Sequence, residues 1–468
     1  MKGKVKMKYP ISLTVVPLLL AVSNLSAATL YVSLESTNPT PPYATWDTAA
    51  TNIQQAVAAG AGGDRIVVTN GMYAGRVTVT NTLVLMSVNG PQFTIINGGA
   101  TNKCASLADG ASLSGFTLTN GIVGVSCAST NALLTNCVIV GNRGTCISGG
   151  GAGAIGGTLY NCTLTKNSIS QCVAQGGGGG GAAYSTLYSC TLSGNSARSA
   201  GAAASCTLYN CTLSGNFATL YGGGAIDCTL YNCTLSGNYC TNGGGGAAYC
   251  TLYNCVVYSN TAPDAANYDS HSTLNYCCTT PLPTNGVGSI TNPPLFVDYA
   301  SANLRLESNS PCINSGNNAY VGTTTDLDGN PRIVSGTVDI GAYEFQGPGS
   351  VISYAWLQQY SLPTDGTADY ADPDGDRMNN WQEWICGTDP TNSLSVLTML
   401  TPSNGPSRIT VPWQSVIGKT YFLERSTNLD SPFASLATNT TGQAGTTSYT
   451  DTNAPGADPF FYRVGVQH

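Results

Sequence analysis

Charge is what this chain has least of. Only 9% of its 468 residues are Asp, Glu, Lys or Arg, and it holds two histidines, His271 and His468. So few imidazoles leave no room for a histidine-rich zinc site and nearly exclude a His-based triad. The net charge of −7 repels a phosphate backbone, which argues against a nucleic-acid partner. Long apolar runs are equally scarce. The one present, Ile11–Val22, follows Lys2, Lys4, Lys6 and Lys8 and precedes Ser26, Ala27 and Ala28. That order reads as a secretory leader over residues 1–28, removed after Ala27 or Ala28. No second run approaches the ~20 residues of a membrane helix, so no transmembrane segment is expected. A face this poor in charge must be wetted by Thr, Ser, Asn and Tyr.

What the chain has in quantity is repetition. The block Thr-Leu-Tyr-Asn-Cys-Thr-Leu-Ser-Gly-Asn recurs every 21 to 28 residues, at Thr158–Asn167, Thr186–Asn195, Thr207–Asn216, Thr229–Asn238 and Thr251–Asn260, with small variations. Within it apolar and polar residues alternate, which is strand periodicity. Gly, Asn and Thr interrupt every unit, so no helical stripe survives. A unit of about 22 residues is too short for a strand–helix–strand crossover and suits one coil of a parallel β-helix. Asn161, Asn210, Asn232 and Asn254 fit a left-handed corner. Asn195, Asn216, Asn238 and Asn260 mark the next corner, and glycine runs follow. Stacking at ~4.8 Å makes columns of Leu187, Leu208, Leu230 and Leu252, of Cys162, Cys190, Cys211, Cys233 and Cys255, and of Cys206, Cys228 and Cys250.

Eighteen cysteines in an exported chain suggest disulfides. In-register neighbours have parallel Cβ atoms too far apart for a bridge. The columns are therefore read mainly as small core residues, with bridges between columns left open, and Cys240, Cys277 and Cys278, which break the pattern, as the better bridge candidates.

Asn52–Gly98, with IQQAVAAGAGGDRIVVTNGMYAG and VLMSVNGPQFTIING, resembles the cap and first coils of right-handed β-helix proteins of the pectin-lyase-like superfamily. Leu213-Ser214-Gly215-Asn216 followed by Gly222, Gly223, Gly224 and Ala225 resembles the repeats of polymorphic outer-membrane proteins. LRLESNSPCINSG (304–316), DLDGNPR (326–332) and VDIGAYEF (338–345) resemble the choice-of-anchor Q module. That module is expected over 291–346, closing the open end of a 29–290 solenoid of roughly ten coils. Residues 347–393 form a linker with an acidic loop. Residues 394–468 read as short alternating strands of a β-sandwich and resemble a fibronectin type III-like domain. The fold class is all-β: a right-handed parallel β-helix followed by a small C-terminal β-sandwich.

Four sets of residues invite chemistry. Asp372, Asp374, Asp376, Met378, Asn380 and Glu383 occupy positions 1, 3, 5, 7, 9 and 12 of an EF-hand-like loop, the oxygen pattern that Ca²⁺ selects. The loop also resembles dockerin and thrombospondin type 3 loops. Arg377 replaces the usual glycine at position 6. A structural Ca²⁺ is expected. Tyr160, Tyr188, Tyr209, Tyr231 and Tyr253 each follow an inward Leu and so face outward, offering either a platform for sugar rings or a self-stacked ladder. The outward column Thr163/Thr165, Thr191/Ser193, Thr212/Ser214 and Thr234/Ser236 has the regularity of an ice-binding face, though Thr also suits strands and keeps a surface soluble.

Carboxylates are too sparse for an evident glycosidase pair. Between Cys104 and Ile290 only Asp109, Asp227, Asp264 and Asp269 occur, and the one cluster to watch is Asp264, Asp269 and His271. The resulting expectation is a secreted or surface-associated, non-catalytic scaffold that contacts polysaccharide or cell-surface glycan in the manner of an adhesin. A polysaccharide lyase or glycoside hydrolase is the alternative, and ice binding a minor one.

Overall fold

The computed structural model describes residues 27–145, 150–170, 178–405, 408–429, 431–454 and 460–467. The expected leader thus lies, but for Ala27 and Ala28, outside the described residues. The chain winds into a parallel β-helix of about nine turns. An 11-stranded sheet carries the Thr-Leu-Tyr segments, a 10-stranded sheet the Thr-Leu-Ser segments and an 8-stranded sheet the Ala-Ala segments. They are called here the tyrosine, threonine and alanine sheets. A short 5-stranded sheet lines part of the remaining side.

The repeat is in register with itself: Thr186, Leu187 and Tyr188 pair with Thr207, Leu208 and Tyr209. Each Leu points inward with no exposed area, as do Leu192, Leu213 and Leu235 of the threonine sheet. Full burial of such a side chain stabilises by about 1.5–3 kcal/mol. Asn161, Asn210, Asn232 and Asn254 turn the first corner at φ near 50°, as does Ser189 in the coil that lacks the Asn. At the second corner the left-handed residue is the one before the expected Asn: Gly194 (60°), Gly215 (62°), Gly237 (68°) and Lys166 (55°). The Asn itself turns inward. Asn167, Asn195, Asn216 and Asn238 are buried, and the amide of each donates to the next at 2.8–3.0 Å. At Gly223 a Cβ would lie 2.4 Å from the Gly245 carbonyl, so adjacent coils approach there only without a side chain.

The N-terminal end is closed by α1 (Ile53–Ala59), capped by the Asn52 side chain and burying Ile53, Ala56 and Val57. The other end is closed by residues 285–290. Asn285, Val287 and Ile290 offer carbonyls to the amides of Leu274, Tyr276 and Thr279.

That arrangement corrects the expected role of the 291–346 module, which lies along the flank instead. Tyr320 stacks on Tyr253 at 4.3 Å, and Asn317 exchanges hydrogen bonds with the Asn254 side chain at 2.8 and 2.9 Å. Ala342 donates to Thr234 Oγ1 at 3.0 Å. The corner Asn side chains supply amide partners that an end-on cap would not meet. The module centres on Arg332, 1% exposed. Its guanidinium donates to the Asp339 and Gly341 carbonyls and lies 3.6 Å from Glu344.

Two further helices follow, α2 (Tyr354–Gln359) and α3 (Asn380–Cys386). The chain ends in two three-stranded antiparallel sheets enclosing Val411, Trp413, Tyr421 and Leu423. The 16 described cysteines are all unbridged. Cys277, expected to break register, continues the Cys255 column at the equivalent position beside Leu274. Cys278 leaves the column and faces Cys312, and Cys240 is buried within the last strand of the fourth sheet.

Candidate functional site

The five tyrosines form one continuous stack. Neighbouring rings lie 4.6–5.0 Å apart and within 12° of parallel. The faces are therefore occupied by other tyrosines, and the edges and phenol groups point outward. Tyr320 covers the Tyr253 end, and a side chain at Gly322 would collide with the Tyr209 ring. Tyr160, at 39% exposure, is the open end of the ladder and Tyr188 is half-buried.

Beside that open end runs a groove of about 500 Å³ between solenoid and module. Its solenoid wall is Asn161, Thr163, Ser189 and Thr191, and its module wall Asp328, Gly329 and Tyr343. Asp328 is held by Arg305, whose Nε lies 2.6 Å from Oδ2 and whose guanidinium lies over the Tyr343 ring at 4.8 Å. Asp326 lines the groove too, at 1% exposure. Its carboxylate accepts the amides of Asp328, Asn330 and Glu344 at 2.9–3.0 Å. The groove thus presents hydroxyls, an amide and one ion-paired carboxylate, a lining suited to hydrogen bonding a polar ligand. Sequence reasoning missed Asp328, Tyr343 and Arg305. DLDGNPR was visible as a motif, but which solenoid face it meets was not.

The same module interrupts the Thr-Ser array. Thr212, Thr234 and Ser236 are 5%, 1% and 1% exposed, whereas Thr163, Thr165, Thr191 and Ser193 remain partly open.

Of the Asp264, Asp269 and His271 cluster, only two residues meet. Asp269 Oδ2 lies 3.1 Å from His271 Nδ1, and its Oδ1 accepts from Tyr249 N and Ser272 Oγ. His271 stacks on Tyr249 at 4.6 Å. Asp264 sits earlier in the coil, its backbone paired with Asn242 and Gly243. The pair is a corner brace on the surface.

The acidic loop is built differently from a solvated turn. Asp372, Asp374 and Asp376 place carboxylate oxygens within 4.8 Å of one another. Arg377 takes φ 78°, the left-handed turn that glycine ordinarily supplies there. The α3 helix starts on an Asn379 capping box, so Asn380 and Glu383 face inward and are fully buried. Four buried oxygens have no hydrogen-bond partner: Asp374 Oδ2, Asp376 Oδ2, Asn380 Oδ1 and Glu383 Oε2. Burial, then the Asp374 and Asp376 charges, push the Glu383 carboxyl up to about 7. Buried, unpaired oxygens of one sign are costly, and a hard cation is the group that satisfies them.

No protein-family model matches the chain, and no curated protein matches it. Among solved structures it is similar to the pectate lyase Pel9A, at 14% identity over 69% of this chain and 97% of that one, with a TM-score of 0.46. It is also similar to the pectin methylesterase PemA from Erwinia chrysanthemi (12% identity, 54% of this chain and 79% of that one, TM-score 0.24). A pectin methylesterase from Aspergillus niger matches at 12% identity over 57% and 82%, with a TM-score of 0.23. The fold resembles that of these proteins at low sequence identity. Among the described residues, no helix is long and apolar enough to cross a membrane.

Proposed function

We propose that this is an exported, non-catalytic solenoid that contacts polysaccharide, with a structural Ca²⁺ in the 372–383 loop. The observation that carries the reading is the groove at the open end of the tyrosine ladder. There Asn161, Thr163, Ser189 and Thr191 of the solenoid face Asp328 and Tyr343 of the module, and Tyr160, the exposed end of the ladder, directly precedes Asn161 in the chain. Such groups hydrogen-bond sugar hydroxyls, and an aromatic edge with a phenol supports them. Hydrolysis of a glycoside ordinarily uses two carboxyl groups flanking the bond. Asp328 is tied to Arg305 and the Asp326 carboxylate to three amides, which favours holding a chain over cutting one. The Ca²⁺ assignment is supported by the four orphaned oxygens.

The experiment is binding and product analysis of the mature protein against acidic and neutral polysaccharides. Retention on one of them, lost in Tyr160→Ala and Asp328→Asn, is the expected outcome. New oligosaccharides in the supernatant would replace this reading with a lyase or hydrolase. Retention unchanged in both variants would remove the groove from it.

A further inference from the structure

The acidic loop and the C-terminal sandwich are the two ends of one short lever. Its middle is α3, seven residues long. At its start Asn380 and Glu383 bury unpartnered oxygens, and Glu383 lies within reach of the Asp374 and Asp376 charges. At its finish the carbonyls of Trp384 and Ile385 accept from Lys419 Nζ, at 3.3 and 2.5 Å. Lys419 stands in the connection that crosses from one sandwich sheet to the other, between the strands Arg408–Ser415 and Thr420–Ser426. Gly387, at φ 74°, closes the helix so tightly on the sandwich that a Cβ would come within 2.9 Å of Lys419 Cε.

On the solenoid side the loop is tied just as firmly. The Asp369 carboxylate accepts from Ser350 Oγ and Val351 N, and the Asp369 carbonyl accepts from Trp381 N. Ser350 in turn is held by Asn314 of the flank module at 2.7 Å. The path from solenoid to sandwich therefore passes through a segment whose centre holds four buried oxygens in need of a cation.

We infer that Ca²⁺ in this loop is an interdomain lock: it fixes α3, and through Lys419 it fixes the sandwich against the rest of the chain. The inference rests on the Ca²⁺ reading of the loop. Without the cation, Glu383 and the aspartates repel one another at the root of the helix. The helix end that Lys419 grips is then no longer held in place. Linkage makes the effect mutual, so loosening the grip weakens the cation by the same factor.

The test uses the full mature chain, Ca²⁺ alone as probe and EGTA as its removal. Calorimetry reads cation binding, and limited proteolysis of residues 387–420 reads the lock. Wild type is expected to bind Ca²⁺ and to be cleaved roughly tenfold more slowly with it. Lys419→Met is expected to keep binding at roughly tenfold lower affinity and to lose most of the protection. Lys419→Arg, which keeps a donor, should retain both. Asp374→Asn with Asp376→Asn should abolish both. Cation binding with the same cleavage rate in Ca²⁺ and EGTA would overturn the lock and leave the Ca²⁺ site standing. Absence of binding would overturn both. If Lys419→Met lacks the wild-type circular dichroism, the wild-type comparison alone decides.

Discussion

At Cys190 the sulfur accepts the Cys162 amide at 3.4 Å while the thiol donates to the Tyr188 carbonyl at 3.3 Å. Cys211, Cys233 and Cys255 repeat the first contact at 3.3–3.4 Å, and Cys206, Cys228 and Cys250 make it in a second column. The amide after each left-handed corner is buried and needs an acceptor, so these cysteines bond as well as fill space. Where the columns end, serine takes over: Ser272 accepts the Cys250 amide and Ser289 the Cys277 amide, both at 3.1 Å. Cys211→Ser should therefore cost far less stability than Cys211→Ala. The alanine leaves the Cys190 amide unpaired, at about 1–3 kcal/mol, readable by urea denaturation. Burial pushes the Cys104 and Cys127 thiols up to about 12, so these two should resist iodoacetamide at pH 8 until the chain is unfolded.

Among the elements, the flank module is the one the repeat could not announce. Thr191 and Thr212 occupy the same register position in adjacent coils, yet Thr212 is buried under the module and Thr191 is not. Sequence periodicity reports which way a side chain points from its own strand. It does not report what comes to rest on it. The strands, the inward Leu columns and the first Asn corner were legible because each depends on residues within one coil. The groove was not, because Asp328 and Asn161 are joined only by docking. Tyr320→Ala should loosen that docking by about 0.5–1.5 kcal/mol beyond its lost area, seen as faster hydrogen exchange over 317–345.

The same element carries a pH dependence. Burial pushes Asp339 up to about 7 and Glu344 up to about 8. Both carboxyls hold protons more tightly folded than unfolded, so they favour the folded module fully below their ordinary values near 4. That contribution declines as pH rises toward 8. Melting of the module should fall between pH 5 and pH 8, and Glu344→Gln should flatten the fall.

At the scale of the whole molecule, both ends of the solenoid are covered. A parallel stack ends in unpaired strand edges, which α1 and residues 285–290 cover. Ile53→Asp, at a fully buried position of α1, should uncover the N-terminal edge. The expected result is concentration-dependent association by sedimentation velocity.

The asparagine ladder has one more consequence. From Asn142 to Asn260 each amide hands its hydrogen to the oxygen of the coil ahead, and Asn267 ends the line on the Thr280 carbonyl. A line of identical links does not register how many links it has. Coils can be added or excised whole, and the line rejoins itself. The module contacts described above fall between Asn161 and Cys278, so a coil gained or lost ahead of Asn161 would leave them in place.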